Sequence, residues 1–130
     1  MPLTAEETRQ LSKCFKDLSI ELGDYRFKEI ACLSPEERDQ IEALEWELLN
    51  SSSDLVTAAV QLTLDESQTS FEEIKKVTQE AKQSVQTLKN VKKIINMATA
   101  VVGLAAAIYS KDLNAIQKST KSLHSIIATS

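Results

Sequence analysis

An all-α fold is what this sequence predicts: an antiparallel helical bundle of four helices over residues 5–33, 35–64, 71–109 and 111–127, with helices two and three long. Three observations carry that expectation. Apolar residues recur at helical spacing along most of the 130 residues. Gly and Pro number two each, too few for a fold built on many tight turns. Cap-like residues stand in front of each apolar run. The length fits a single domain spanning 1–130, able to bury a core without disulfides or a structural metal. Aromatic residues are only 5% of the chain, so that core must be built mostly from Leu, Ile, Val and Ala.

The first helix opens on Thr4-Ala5-Glu6-Glu7, which has the spacing of a capping box. Leu11, Cys14, Phe15, Leu18, Leu22 and Tyr25 then mark one face, Gly23-Asp24 marks a bend or interruption, and the pattern resumes through Phe27, Ile30 and Leu33. Ser34-Pro35-Glu36-Glu37 is the strongest local signal. Ser caps, Pro takes the first helical position, where its missing N–H costs nothing, and two acids face the positive end of the dipole. Pro also disfavours helix in the residue before it, so helix one must stop by Leu33. Ile41, Leu48, Leu55 and Leu62 follow at seven-residue steps.

Asp65–Ser70 reads as a polar turn, and Ser70-Phe71-Glu72-Glu73 repeats the cap-and-acid start. Ile74, Ala81, Leu88, Ile95, Val102 and Tyr109 are then spaced by seven throughout, which predicts one unbroken helix packed beside helix two at a small left-handed crossing. A short turn between two long helices makes them an antiparallel hairpin. Ser110-Lys111-Asp112-Leu113 starts a final helix carrying Leu113, Ile116, Leu123 and Ile127.

Charge divides the chain. Residues 1–73 carry 17 acids and 6 bases, a net of −11; residues 74–130 carry 2 acids and 9 lysines, a net of +7, leaving the chain at −4. Acidic helices one and two are therefore expected to pack beside basic helices three and four, with rim charges pairing across the seams. Lys75, Lys82 and Lys89 share one face, extended by Lys92 and Lys93, and make a candidate contact for an acidic partner. Nucleic acid is not expected: this half has no Arg for bidentate base contacts and no aromatic platform for stacking.

Residues 94–109 contain no charge. Sixteen residues fall short of the ~20 that span a bilayer, so no transmembrane helix is expected and the segment is read as core. Thr99, Gly103 and Ala107 are small residues four apart, a spacing that lets another helix approach closely and makes a second candidate contact. Bundles of long helices carrying an Ala/Val/Gly-rich apolar stretch resemble the α-helical pore-forming toxins. The resemblance covers this segment and its neighbours alone, and implies a membrane-active protein. Independently of it, Lys92 and Lys93 before the segment and Lys111 after it would suit lipid headgroups if the segment entered a bilayer.

Catalytic equipment is sparse. His124 is the only histidine, with Lys121 where a helix-borne di-iron site would want Glu. Glu42 and Glu45 share a face with no histidine beside them, and the sequence has no P-loop, dinucleotide fingerprint or HExxH. No catalytic residue, cofactor or metal is expected. Trp46 is expected to be half-buried beside the Leu44–Leu48 seam, and a ligand pocket would need His124, Trp46 and Tyr109 to converge. Cys14 and Cys32 are expected to be reduced and buried. The polar, acidic start lacks a secretory pattern, which favours the cytoplasm. The expected function is non-enzymatic protein–protein interaction or self-association, with peripheral membrane contact as the alternative.

Overall fold

A computed structural model describes residues 3–58, 69–88 and 90–128. They are all-helical, with α1 at Ala5–Lys28, α2 at Pro35–Ala58, α3 at Phe71–Thr87, α4 at Val91–Tyr109 and α5 at Leu113–Ala128. Residues 59–64, where helix two was expected to finish, and Lys89 lie outside the described residues.

The caps form where their residue types require. Thr4 and Glu7 make the reciprocal capping box, with Glu7 N donating to Thr4 Oγ1 at 3.0 Å and Thr4 N donating to Glu7 Oε1 at 2.9 Å. Ser34 and Glu37 repeat it at 3.1 and 2.8 Å. Ser70 accepts from Glu73 N at 3.1 Å. Helix one ends sooner than expected, at Lys28; a tighter turn follows, in which Cys32 N donates to Glu29 O at 2.8 Å and Leu33 tucks into the core. Gly23 does not interrupt α1.

The expected four helices are five, because the 71–109 rod is broken. Leu88 is extended, with ψ 143°, and Asn90 restarts the chain as a cap, its Oδ1 accepting from Lys93 N at 3.3 Å. The break resets the phase of the apolar face. On α3, Ile74, Val77, Thr78, Ala81 and Val85 are buried; on α4, Ile94, Met97, Ala98, Val101 and Ala105 are buried, twenty positions later in each case. The expected continuation through Ile95 and Val102 is only half-buried, and Tyr109 is exposed.

Helix directions follow from the contacts. Ser12 meets Ser52 and Ser19 meets Glu45, so α1 and α2 run antiparallel. Gln10 meets Lys75 and Glu21 meets Gln86, both 65 residues apart, so α3 runs parallel to α1. The expected pairing of helix two with one long rod is therefore divided: α3 lies on α1, and α4 lies on α2. α5 folds back on α4 and reaches the start of α3, where His124 Nε2 stands 3.6 Å from Glu73 Oε1. One apolar core draws on all five helices, including Phe15 and Leu18 of α1, Ile41 and Leu48 of α2, Ile74 of α3, Met97 and Leu104 of α4, and Ile116 and Leu123 of α5.

The α1–α2 seam has a polar side. Ser12 Oγ donates to the Ser52 carbonyl at 2.8 Å, and Ser19 Oγ donates to the Glu45 carbonyl at 2.8 Å. Seven residues further on, Arg26 Nε donates to Glu45 Oε2 at 2.6 Å and Nη2 donates to Oε1 at 3.2 Å, with Glu42 3.5 Å away. A Cβ at Gly23 would lie 2.9 Å from Glu45 Oε1, so the glycine leaves room for the clamped carboxylate.

The α4–α5 turn is a Schellman motif: Asp112 N donates to Ala107 O at 3.0 Å and Lys111 N donates to Ile108 O at 3.1 Å. Asp112 then caps α5, accepting from Ala115 N at 3.1 Å. The motif forces Lys111 to φ 60°, a left-handed conformation that strains a side chain with a Cβ. Lys111→Gly is expected to stabilise the fold by about 1 kcal/mol, read as a higher urea midpoint at unchanged m-value.

Candidate interaction surface

The lysine set stands mostly along seams. Lys75 Nζ donates to Gln10 Oε1 at 3.0 Å, and both Lys75 and Lys82 bear electrostatically on Cys14 of α1, which places them beside the α1–α3 contact. Lys92 is exposed. Lys93 is half-buried, and its Nζ is shielded from solvent with no hydrogen-bond partner among the described residues; the alkyl stem packs while the ammonium gains nothing. The expected pairing of rim charges across the halves takes another form. Among the described residues, no lysine of α3, α4 or α5 pairs with an acid of α1 or α2. The seam polar contacts are amide-mediated, Lys75 to Gln10 and Gln86 to Glu21.

The small-residue face is partly occupied. A Cβ added at Gly103 would meet Ser119 Oγ of α5 at an ordinary 3.7 Å, so α5 already lies beside this face without needing the glycine. Ala107 is buried, while Thr99 is exposed and returns its hydroxyl to the Ile95 carbonyl at 2.7 Å. α4 is long and apolar enough to cross a membrane by length and composition. Its large apolar residues Ile94, Met97, Val101, Leu104 and Ile108 are turned into the core.

What the sequence reading missed lies on the outer side of the α1–α2 hairpin. Trp46, expected to be half-buried, is 59% exposed, and Phe27 is 70% exposed. Ile20 on α1, and Leu49 and Val56 on α2, are exposed with them. On α2, Asp39, Glu42, Trp46, Leu49, Ser53 and Val56 follow at alternating steps of three and four, so they share one stripe. Lys13, Lys16, Ile20, Asp24 and Phe27 make the matching stripe on α1. A shallow groove runs between the stripes, lined by Ser12, Lys16, Leu49, Ser52 and Val56. The signal was in the sequence: apolar residues at these positions lie off the face already filled by Leu44, Leu48 and Leu55.

No ligand pocket assembles from the three residues considered for it. Trp46 is on the outer face of α2, Tyr109 lines a small cleft with Ser51 and Asp54, and His124 stands by Glu73. Glu42 and Glu45 are engaged with Arg26. Among the described residues, no three of His, Cys, Asp and Glu gather at metal-binding distance.

The two cysteines differ from the expectation that both are buried: Cys14 is buried and Cys32 is exposed. Burial, helped by the negative charge of Asp17, pushes the Cys14 thiol above its ordinary pKa and depletes its thiolate. Near neutral pH, iodoacetamide is expected to modify Cys32 first and Cys14 only under unfolding conditions, as peptide mapping would show. The sequence matches no protein-family model, and comparison with curated proteins and with solved structures gives no significant match, so the surface must be interpreted from its own chemistry.

Proposed function

We propose that this chain is a non-enzymatic helical bundle that works by docking protein through the outer face of its α1–α2 hairpin. The observation that carries the reading is the apolar strip of Phe27, Ile20, Trp46, Leu49 and Val56. A soluble fold leaves single apolar side chains exposed without consequence, but several sharing one face, with charged residues among and around them, favour a contact surface. Trp is also the residue type most enriched at binding hot spots. The face is presented by two helices held in register by Ser12, Ser19 and Arg26, so it is rigid before anything binds. Lys75, Lys82, Lys92 and Lys93, or alternatively Thr99, Gly103 and Ala107, are further candidate contacts on α3 and α4, with Lys75 engaged by Gln10 of α1 and Gly103 beside Ser119 of α5.

A photo-crosslinking amino acid placed at Leu49 or Val56 is expected to give discrete covalent adducts in the producing cell. The same group at Gln79 of α3 is expected to give few. Adducts spread evenly over all three sites, or none from Leu49 and Val56, would defeat the reading.

The length and apolarity of α4 favour a second reading, membrane activity through Val91–Tyr109. Its buried residues would have to leave the core to meet lipid. This reading expects sedimentation with anionic vesicles that weakens as salt rises; absence of binding at low salt would exclude it.

A further inference from the structure

We infer that the cleft where α3 stops short against the side of α1 binds a guanidinium group. The cleft lies on the α3 side of α1, so the inference stands apart from the docking face. α3 runs parallel to α1 with contacts 65 residues apart, Gln10 to Lys75 and Glu21 to Gln86. At that offset Thr87, the last residue of α3, is level with Leu22, and α1 runs on to Lys28, about 9 Å further. The corner left open has a volume of about 270 Å³. That is just under the roughly 300–1,000 Å³ of pockets for drug-sized ligands, and it suits a smaller one. Glu21, Asp24, Tyr25 and Glu29 form one wall, and Gln86 and Thr87 stand at the α3 end.

The electrostatics of this corner favour a cation. Parallel helices bring their negative dipole ends to the same end of the bundle. α3 has no basic residue in its last turn to offset this, and its final carbonyls, Val85, Gln86 and Thr87, have no partner within the helix. Glu21 Oε1 accepts from Gln86 Nε2 at 3.0 Å, a neutral donor that leaves the carboxylate charge in place. Asp24 and Glu29 form no ion pair among the described residues. Lys28 also lines the cleft, but it is exposed and pairs with neither acid. Arg26 is committed to Glu42 and Glu45.

Tyr25 points independently to a ligand. It is 9% exposed, it lines the cleft, and its hydroxyl makes no hydrogen bond among the described residues. A phenol this buried normally has a partner. Burial, helped by the negative charges of Glu29 and Glu37, pushes its pKa up, so the hydroxyl stays neutral and its oxygen is free to accept an N–H. The lining is thus a set of acceptors around an acidic corner, and the set is spread out. Among the described residues, no three of His, Cys, Asp and Glu gather at metal-binding distance, so a point ion would meet too few of these groups. An ammonium likewise concentrates its charge and its three donors on one atom. A guanidinium holds five N–H donors in one rigid plane and reaches several separated acceptors at once.

Titration of the isotope-labelled full chain with butylguanidine, followed by two-dimensional NMR, tests this. Saturable shifts are expected at the Tyr25, Gln86 and Thr87 amides at millimolar ligand. Butylurea, the uncharged analogue, and butylamine, the ammonium analogue, are expected to shift them far less. Asp24→Asn and Glu29→Gln are each expected to weaken butylguanidine binding about fivefold, with circular dichroism showing the helices intact. Tyr25→Phe is expected to weaken binding about threefold while leaving the urea midpoint in place, because the hydroxyl has no partner within the fold to lose. A blocked Gly-Arg-Gly peptide separates the sources of the group. Tighter binding of the peptide assigns the guanidinium to an arginine of a protein partner, and equal or tighter binding of butylguanidine assigns it to a small alkylguanidine. Failure of butylguanidine to saturate the shifts, binding indifferent to the Asp24 and Glu29 variants, or butylurea or butylamine binding equally well would overturn the inference.

Discussion

Everything distinctive about this molecule follows from how closely α1 approaches α2. Two helices can share a polar seam only where the side chains between them are short and their hydrogen bonds are satisfied. Ser12 and Ser19 meet both conditions by donating to carbonyls of α2, and Gly23 leaves space for the Glu45 carboxylate held by Arg26. These contacts recur at seven-residue intervals along α1, so a slip of one turn would unsatisfy all of them together. They fix register in a way that leucines, interchangeable in shape, do not. The Arg26–Glu45 pair is mostly shielded from water, so losing one partner strands the other rather than exchanging it for solvent.

With the hairpin fixed, its inner face receives α3 and α4, and α5 closes over them. Among the described residues, no other helix packs on the outer face. Its exposed Trp46 and Phe27 are costly to leave in water, and a purely structural hairpin would carry polar residues there. The surface is therefore the place where the sequence departs from what folding alone requires.

Much of the fold was legible in the sequence because caps are local. Thr4, Ser34 and Ser70 each announce a helix by side-chain chemistry that needs no tertiary context, and each forms the expected bond, while the last helix starts at Leu113 behind an Asp112 cap rather than at the expected residue 111. The break at Leu88 was not legible, because neither Gly nor Pro marks it and the seven-residue spacing runs straight through it. The register of α4 was ambiguous for a similar reason. Ile94-Ile95 and Val101-Val102 place apolar residues on two adjacent faces, and only packing against α2 and α5 chooses between them. Trp46 and Cys32 were misjudged on residue type, since both are types usually buried. Lys75 and Lys82 lie on α3, and Lys92, Lys93, Thr99, Gly103 and Ala107 on α4, where a hydrogen bond to Gln10 and the neighbouring α5 claim part of the surface.

The twenty-residue offset between the buried faces of α3 and α4 makes the interruption between them a geometric necessity. A continuous α-helix turns about 100° per residue, so twenty residues carry a side chain about 200° round the axis. Had the rod stayed whole, the Ile94 face would have pointed almost directly away from the Ile74 face, and one of the two would have lain in water. Ending α3 at Thr87 and restarting α4 at Val91 converts two opposed apolar ridges into two that converge on a common interior, which the rotation of an intact rod could never achieve.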